Sequence, residues 1–255
     1  MVGPATDLVI DIGNTRAHLA GIRCGQVLAA EALSSEPAAL QSGLAEALAR
    51  LPLREGAAAV LVSVNPVATT LVREGLVAAG LAPLELGVEI KVPAGNKTLH
   101  PDAVGLDRLM NATWAGAVRA GKRSLVVSAG TAVTFDLIDA EGALVGGVIA
   151  PGLGMLSRGL ARDAALLPAV EVRGAPRVLG RATEEALASG MFWGLCGAVE
   201  GILVRLLALP ELAGAEVVAT GGDAALIAPY CPHIGCVVEH LTLLGAWWAL
   251  EASRG

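Results

Sequence analysis

The chain has 255 residues, 54 % of them hydrophobic and only 16 % charged, with 32 glycines and a formal net charge of −6. That balance excludes a disordered polymer and a phosphate-neutralising basic surface, so nucleic acid is not an expected partner. The length suits one large domain or two small ones.

In chain order, residues 7–13, 17–23 and 26–32 alternate or run apolar, with Gly25 at a turn, and read as three strands in a meander. Residues 36–50 carry Ala and Leu at helical spacing, 57–63 read as a buried parallel strand, and 67–80 as the helix that follows. A helix over 105–120 opens at Gly105. The pattern then restarts, with strands at 124–128, 132–138 and 143–149 and helices at 152–163 and 182–208. A strand at 215–219 runs into Gly221-Gly222 and a further helix, and a helix from 241 closes the chain. Three strands followed by alternating helix and strand, occurring twice, predict a duplicated α/β fold, each lobe a mixed sheet flanked by helices. The lobes are assigned to 1–116 and 117–255. No low-complexity linker separates them, and the helix over 105–120 is the expected joint about which they hinge.

The duplication is legible residue by residue. Leu8-Val9-Ile10-Asp11-Ile12-Gly13-Asn14-Thr15 returns as Leu125-Val126-Val127-Ser128-Ala129-Gly130-Thr131-Ala132, and the same offset carries Gly25 onto Gly142. Each copy is an apolar strand ending in a tight glycine turn. Two such turns facing each other across a cleft can hold a nucleotide's phosphates from both sides. This points to a two-lobed ATP-using protein with its active site in the interlobe cleft.

A turn directly after a buried strand presents backbone N–H groups, and Gly13 permits close approach. Asn14 and Thr15 add side-chain donors. Asp11 alone would repel phosphate, so its natural role is to hold Mg²⁺ through water. A plain hairpin is the competing reading, since Asn and Gly are common turn residues; the second copy favours the phosphate turn. In that copy Ser128 stands where the first has Asp11, and Thr131 can reach a β- or γ-phosphate. Thr134 and Asp136 read more simply as strand polarity. In Gly105-Leu106-Asp107-Arg108 the carboxylate either caps a helix or accepts a hydroxyl proton while the Arg108 fork binds an anion, and the residues leave both open.

Gly146-Gly147 and Pro151-Gly152-Leu153-Gly154 flank an apolar strand, either as tight turns or as a loop approaching a ligand. Thr183 reads as the N-cap of the helix after it. Gly221-Gly222 suits the adenosine portion of a nucleotide. Trp247 and Trp248 read as core or dimer packing. Cys24, Cys196, Cys231 and Cys236 match no zinc spacing and read as buried or incidental thiols. Residues 143–157 are broken by Gly and Pro, and 190–209 by Glu200 and Arg205, so neither reads as a membrane span. The first residues lack a signal-peptide pattern, and the expected setting is the cytoplasm.

Taken in order, these motifs resemble type III pantothenate kinase, a family of the actin-like, sugar-kinase and Hsp70-like ATPase superfamily with ribonuclease-H-like lobes. The likeness runs from Asp11-Ile12-Gly13-Asn14-Thr15 to Leu241-Thr242-Leu243-Leu244-Gly245. Its specific parts are Gly105-Leu106-Asp107-Arg108, Gly130-Thr131-Ala132-Val133-Thr134-Phe135-Asp136, Gly146-Gly147-Val148-Ile149-Ala150-Pro151-Gly152 and Thr220-Gly221-Gly222. The resemblance implies ATP-dependent phosphorylation of pantothenate on its primary hydroxyl, giving 4′-phosphopantothenate, the first step toward coenzyme A.

It further implies that Asp11, Ile12, Gly13, Asn14, Thr15, Arg16, Ala17 and His18 bind the ATP phosphates, with Asp11 near Mg²⁺. Thr131, Gly221 and Gly222 would also contact ATP. Asp107 would be the proton acceptor, and Gly105, Leu106, Asp107 and Arg108 would line the pantothenate site, with Arg108 on the substrate carboxylate. Thr183 would reach pantothenate from the neighbouring subunit of a homodimer.

Two positions depart from the family. It usually carries Asp where this chain has Ser128, an Asp associated with a bound monovalent cation, K⁺ or NH₄⁺. It usually has Tyr at the pantothenate pocket where this chain has Thr98. Weak or absent potassium dependence is the expected consequence. The same departures motivate an alternative, a non-catalytic nucleotide-binding member that regulates a partner. A kinase of another small hydroxy acid is a third reading.

Overall fold

A computed structural model describes residues 6–54 and 56–255. The strands are β1 (Asp7–Ile12), β2 (Arg16–Arg23), β3 (Gln26–Ser34), β4 (Ala59–Ser63), β5 (Pro83–Glu85), β6 (Ser124–Ala129), β7 (Ala132–Ile138), β8 (Leu144–Pro151), β9 (Glu216–Thr220) and β10 (Cys236–Val237). The helices are α1 (Pro37–Arg50), α2 (Pro66–Ala78), α3 (Leu106–Val118), α4 (Leu153–Asp163), α5 (Thr183–Leu207), α6 (Ala224–Ile227) and α7 (Leu241–Arg254). They fall into two compact units. One holds the described residues up to Gly121 together with Glu141–Leu144 and His240–Gly255; the other holds Lys122–Ala140 and Val145–Glu239.

In the first unit the sheet order is β3-β2-β1-β4-β5. β1 runs antiparallel to β2 and parallel to β4, so it is hydrogen-bonded on both edges. Such a central strand reads as a continuous apolar run, as Leu8-Val9-Ile10 does. The strand period then sorts the two faces. Leu8, Ile10 and Ile12 join Leu40 and Leu44 of α1 and Val72 and Leu76 of α2 in one core cluster. Asp7 and Asp11 fall on the opposite face, where α7 packs on the strand. α3 and α7 cross closely at Gly245, where an added Cβ would overlap the Met110 carbonyl.

Asp7 ties the last helix to the first strand. Its carboxylate, 3 % exposed, accepts from Trp247 Nε1 at 3.1 Å and from Arg254 at 3.0 and 2.7 Å. These contacts raise the Arg254 guanidinium above its ordinary value, with the Asp7 hydrogen bond as the largest cause. Arg254→Ala leaves a buried charge short of two donors. The expected cost is about 2 kcal/mol, the scale of hydrogen bonds to a charged group, read as a lowered urea midpoint at unchanged m-value.

The second unit repeats the pattern. Its sheet order β10-β9-β6-β7-β8 is the first order with each strand replaced by its counterpart. β6 is antiparallel to β7 and parallel to β9. The two hairpin glycines related by the sequence offset, Gly25 and Gly142, both have positive φ, 72° and 81°. Gly142 lies against Gly116 of α3, so the β7–β8 tip belongs to the first unit, where Leu144 bridges Asn96. In the second unit the core forms around Phe135, Phe192, Leu195, Val199 and Leu203.

Several expectations change. A cut at 116/117 would put 241–254 in the second lobe, whereas α7 packs on α3 in the first unit. The helix expected as a hinge is therefore part of that unit's packing. The helix after Gly222 is a single turn, α6, continued by a 3₁₀ turn at Ala228–Tyr230. Cys196 and Cys231 are buried, while Cys24 and Cys236 are exposed. Trp247 is buried, as core packing requires, and stacks edge-on against Trp248 at 5.1 Å. By length and composition alone α5 could cross a membrane, a test that a buried core helix also passes. Its apolar character has a local use, since Met191, Phe192, Leu195, Cys196, Val199 and Leu203 face the core.

Candidate active site

In the first unit β1 ends at Ile12 and the chain reverses through Gly13–Arg16. Gly13 N–H donates to the Arg16 carbonyl at 2.9 Å, closing the turn. The turn is braced from behind by Ser35, whose buried hydroxyl donates to the Gly13 carbonyl at 2.7 Å and whose N–H donates to the Thr15 carbonyl at 3.0 Å. On the other side Val64 N–H donates to the Ile12 carbonyl at 3.1 Å. Asn14, Thr15 and Arg16 are exposed at the tip, while Ile12 and Ala17 are fully buried and hold the turn from beneath. Ser35 escapes sequence reasoning: a serine after a strand carries no signal until its partner is known.

Asp11 pairs across the strands with His18, so both side chains project from one face. Burial first, and then the charge of Asp107, push the Asp11 carboxyl up to about 7. Burial also lowers His18, with smaller contributions from His240 and Arg16, so its imidazole is neutral at neutral pH. His240 itself precedes α7 in the left-handed region, φ 56°.

Asp107 lies in the first turn of α3, but the N-cap position is Gly105. The helix-cap reading of Asp107 therefore falls away. Its carboxylate folds back over Gly105, where an added Cβ would overlap Oδ1, and Val64 closes the other side. Gly105 has φ −61° and ψ 140°, which any residue adopts, so glycine is needed here for space. Gly105→Ala displaces the Asp107 carboxylate. On the scale of misplaced catalytic groups it lowers kcat by about 10²-fold with the thermal midpoint nearly unchanged, checked by steady-state kinetics beside a melt.

Leu106 and Arg108 are half-buried beside Asp107. Thr98 is half-buried in a loop shaped by Asn96: its hydroxyl donates to Asn96 Oδ1 at 2.7 Å and its N–H at 3.1 Å, while Asn96 Nδ2 donates to the Pro101 carbonyl. The Thr98 hydroxyl proton is thus committed, and toward a ligand that oxygen can act as an acceptor.

In the second unit the turn after β6 is Ala129-Gly130-Thr131. Gly130 N–H donates to the Ala132 carbonyl, and Thr131 is exposed at the tip. Gly221, at φ 95°, packs on the Ala129 main chain, and Asp223 N–H donates to the Ala129 carbonyl at 3.0 Å. Gly222 next to it is exposed, with open space where a Cβ would be. Ser128 stands in register with Thr134 on β7 and Thr220 on β9, a row of hydroxyls. Thr183 is not the N-cap of α5. That position is Ala182, and Thr183 is the first helical residue, exposed, with Glu185 accepting from Arg181 N–H at 2.9 Å.

Two carboxylates close enough for one to raise the other form a place that gains from a cation. Among the described residues no group of three or more His, Cys, Asp or Glu could hold a metal. A site of one or two carboxylates fits Mg²⁺, which keeps several waters and takes further oxygens from phosphates. Ser128 supplies no charge at the position expected for a monovalent cation.

A family model described as type III pantothenate kinase matches residues 7–205. A type III pantothenate kinase of Moorella thermoacetica is 38 % identical over 93 % of this chain and 96 % of its own length. One of Geobacter sulfurreducens is 35 % identical over 97 % and 99 %. Among solved structures, a putative Baf family transcriptional activator from Campylobacter jejuni superposes with TM-score 0.60 at 19 % identity over 97 % of this chain and 98 % of that one. A ROK family glucokinase from Streptomyces griseus does so with TM-score 0.55 at 15 % identity, over 98 % and 100 %. At those identities the structures establish the duplicated kinase-type fold and no more.

Proposed function

Because the chain belongs to the type III pantothenate kinase family and phosphorylates pantothenate with ATP in coenzyme A biosynthesis, we propose that Asp107 is its base, Arg108 its substrate anchor, and the turns at Gly13 and Gly130 its phosphate holders. The primary hydroxyl oxygen of pantothenate attacks the γ-phosphorus, the bond from that phosphorus to the β-bridging oxygen breaks, and ADP leaves. The hydroxyl proton passes to Asp107. Phosphoryl transfer of this kind is loose, so orientation and charge neutralisation matter more than early proton removal. Arg108 pairs with the pantothenate carboxylate in a fork suited to it. Asn14, Thr15 and the Gly13 N–H region are assigned to phosphate oxygens, as is Thr131, and Gly221 and Gly222 to the adenosine. Asp11 would hold Mg²⁺ through water, and the ion would supply charge neutralisation at the phosphates. Asp107 carries the reading: its carboxylate is folded over a glycine beside Asp11, an arrangement a purely nucleotide-binding protein would not need.

The working form is a homodimer in the cytoplasm. Supporting this, one face of α5 is exposed and nearly side-chain-free at Gly190, Gly194 and Gly197. Beside it is an apolar cavity of about 320 Å³ between α4 and α5. Thr183, exposed on the same helix, is then available to a neighbouring subunit's substrate.

The reaction is tested by mass spectrometry of the product from ATP, Mg²⁺ and a panel of hydroxy acids. The phosphomonoester of pantothenate is the expected dominant product; a preference for another acid overturns the substrate assignment. With Ser128 in place of a carboxylate, exchanging potassium for sodium changes the rate by less than about twofold, less than 0.5 kcal/mol. A large potassium-driven gain contradicts that.

A further inference from the structure

The Gly130-Thr131 turn is clasped from two sides, and the second side is Gly152. This glycine is the buried residue that opens α4, and its N–H donates to the Thr131 carbonyl at 3.1 Å. A Cβ there would overlap the Gly130 carbonyl oxygen and stand 2.8 Å from that of Thr131. Both opposing atoms are main chain and have no rotamer by which to withdraw.

The backbone of Gly152, φ −83° and ψ 174°, is open to any residue, whereas Gly221 across the turn has φ 95°. Glycine at 152 is therefore required for space rather than for conformation. If something is added there, one partner must move. The start of α4 is anchored, because Leu153 is buried in the core and Ser157 Oγ bonds both the N–H and the carbonyl of Val170 at 2.9 and 2.8 Å. Thr131 is exposed. The displacement falls on the turn.

We propose that Gly152 is a positioning residue for the phosphoryl donor: by admitting the Gly130-Thr131 main chain to contact, it sets where the Thr131 hydroxyl and the neighbouring N–H groups meet the phosphates. It governs affinity for ATP and leaves affinity for pantothenate alone. The inference rests on the assignment of Thr131 to ATP.

The test is steady-state kinetics and calorimetric ADP·Mg²⁺ binding for Gly152→Ala, Thr131→Ala and the double variant, with melts to establish folding. Gly152→Ala is expected to weaken nucleotide binding about tenfold or more, with the KM for pantothenate within twofold. In the Thr131→Ala background the added effect is expected to shrink below about threefold, the signature of coupled neighbours. Unchanged nucleotide affinity in folded Gly152→Ala overturns the proposal, as do equal losses toward both substrates or full additivity in the double variant. Wild-type nucleotide affinity in Thr131→Ala alone would instead reject the assignment of Thr131. Should Gly152→Ala not fold, Leu153→Ala, which loosens the anchor of α4, reads the same split: nucleotide weakened with pantothenate unchanged supports the proposal, and equal losses overturn it.

Discussion

Asp107→Asn lowers kcat by about 10³-fold while the KM values for ATP and pantothenate stay within about threefold, in the range of a lost general base. Asn keeps the size and one acceptor oxygen of the side chain, so the loop around Gly105 need not move. What it cannot do is take the hydroxyl proton. In a loose transition state that proton leaves late, so ground-state binding is spared and the loss falls on turnover. The neighbouring Asp11 provides an internal check. Its raised carboxyl owes part of its shift to the charge of Asp107. Removing that charge lowers the Asp11 value, an effect visible as a shift of the acid limb of the pH profile. Near-normal turnover in Asp107→Asn rejects the base assignment.

Asp11→Asn produces two opposite effects. Toward catalysis it removes the carboxylate assigned to Mg²⁺, and kcat/KM for MgATP falls by about 10²–10³-fold, comparable to loss of one preorganised electrostatic contact. Toward folding it stabilises the ligand-free protein at pH 8. The sign follows from linkage. Burial, and then the charge of Asp107, push the Asp11 carboxyl up to about 7 in the folded chain, from an ordinary value of 3.8. The folded state thus holds a proton that the unfolded state has released between those values, and stability falls as pH rises through that window. Above pH 7 the full penalty is present, and Asn removes it, a gain of at most about 4 kcal/mol. Most of the difference is gone at pH 4, and below about pH 3, where the carboxyl is protonated in both states, wild type and variant converge. Urea titrations at pH 4 and pH 8 check this, and equal stabilities at pH 8 contradict it. In wild type, kcat/KM for MgATP declines as pH drops below about 7, because that ratio reports groups of the free enzyme.

Much of this molecule was legible in its pattern. The meander at 7–32 was readable because alternation and a glycine turn agree, and its return at 124–149 because the same constraints apply to the second copy. Asp11 and Thr131 stand out because the strand and glycine turn that carry them occur twice, and Asp107 because a carboxylate and an Arg fork adjoin at a helix start.

The misses have physical causes. β5 and β10 have three and two residues, too short for any period to register. Thr183 reads as a cap because Thr is a good one; the chain enters α5 one residue earlier, at Ala182, with no side chain to bond the first turn. The place of α7 in the first unit depends on Asp7 meeting Trp247 and Arg254 across nearly the whole chain, a contact no local window contains. The bracing of the first turn by Ser35 is illegible for the same reason. Pro151-Gly152 reads in the sequence either as a tight turn or as a loop approaching a ligand; that Gly152 meets the main chain of Gly130 and Thr131 is visible only in the fold.

The most direct test of the account is ADP release by the purified protein with ATP and Mg²⁺, measured with and without pantothenate. The account predicts release that depends on pantothenate, with one phosphorylated pantothenate formed per ADP. Protein that binds ATP yet releases no ADP in response to pantothenate would contradict it.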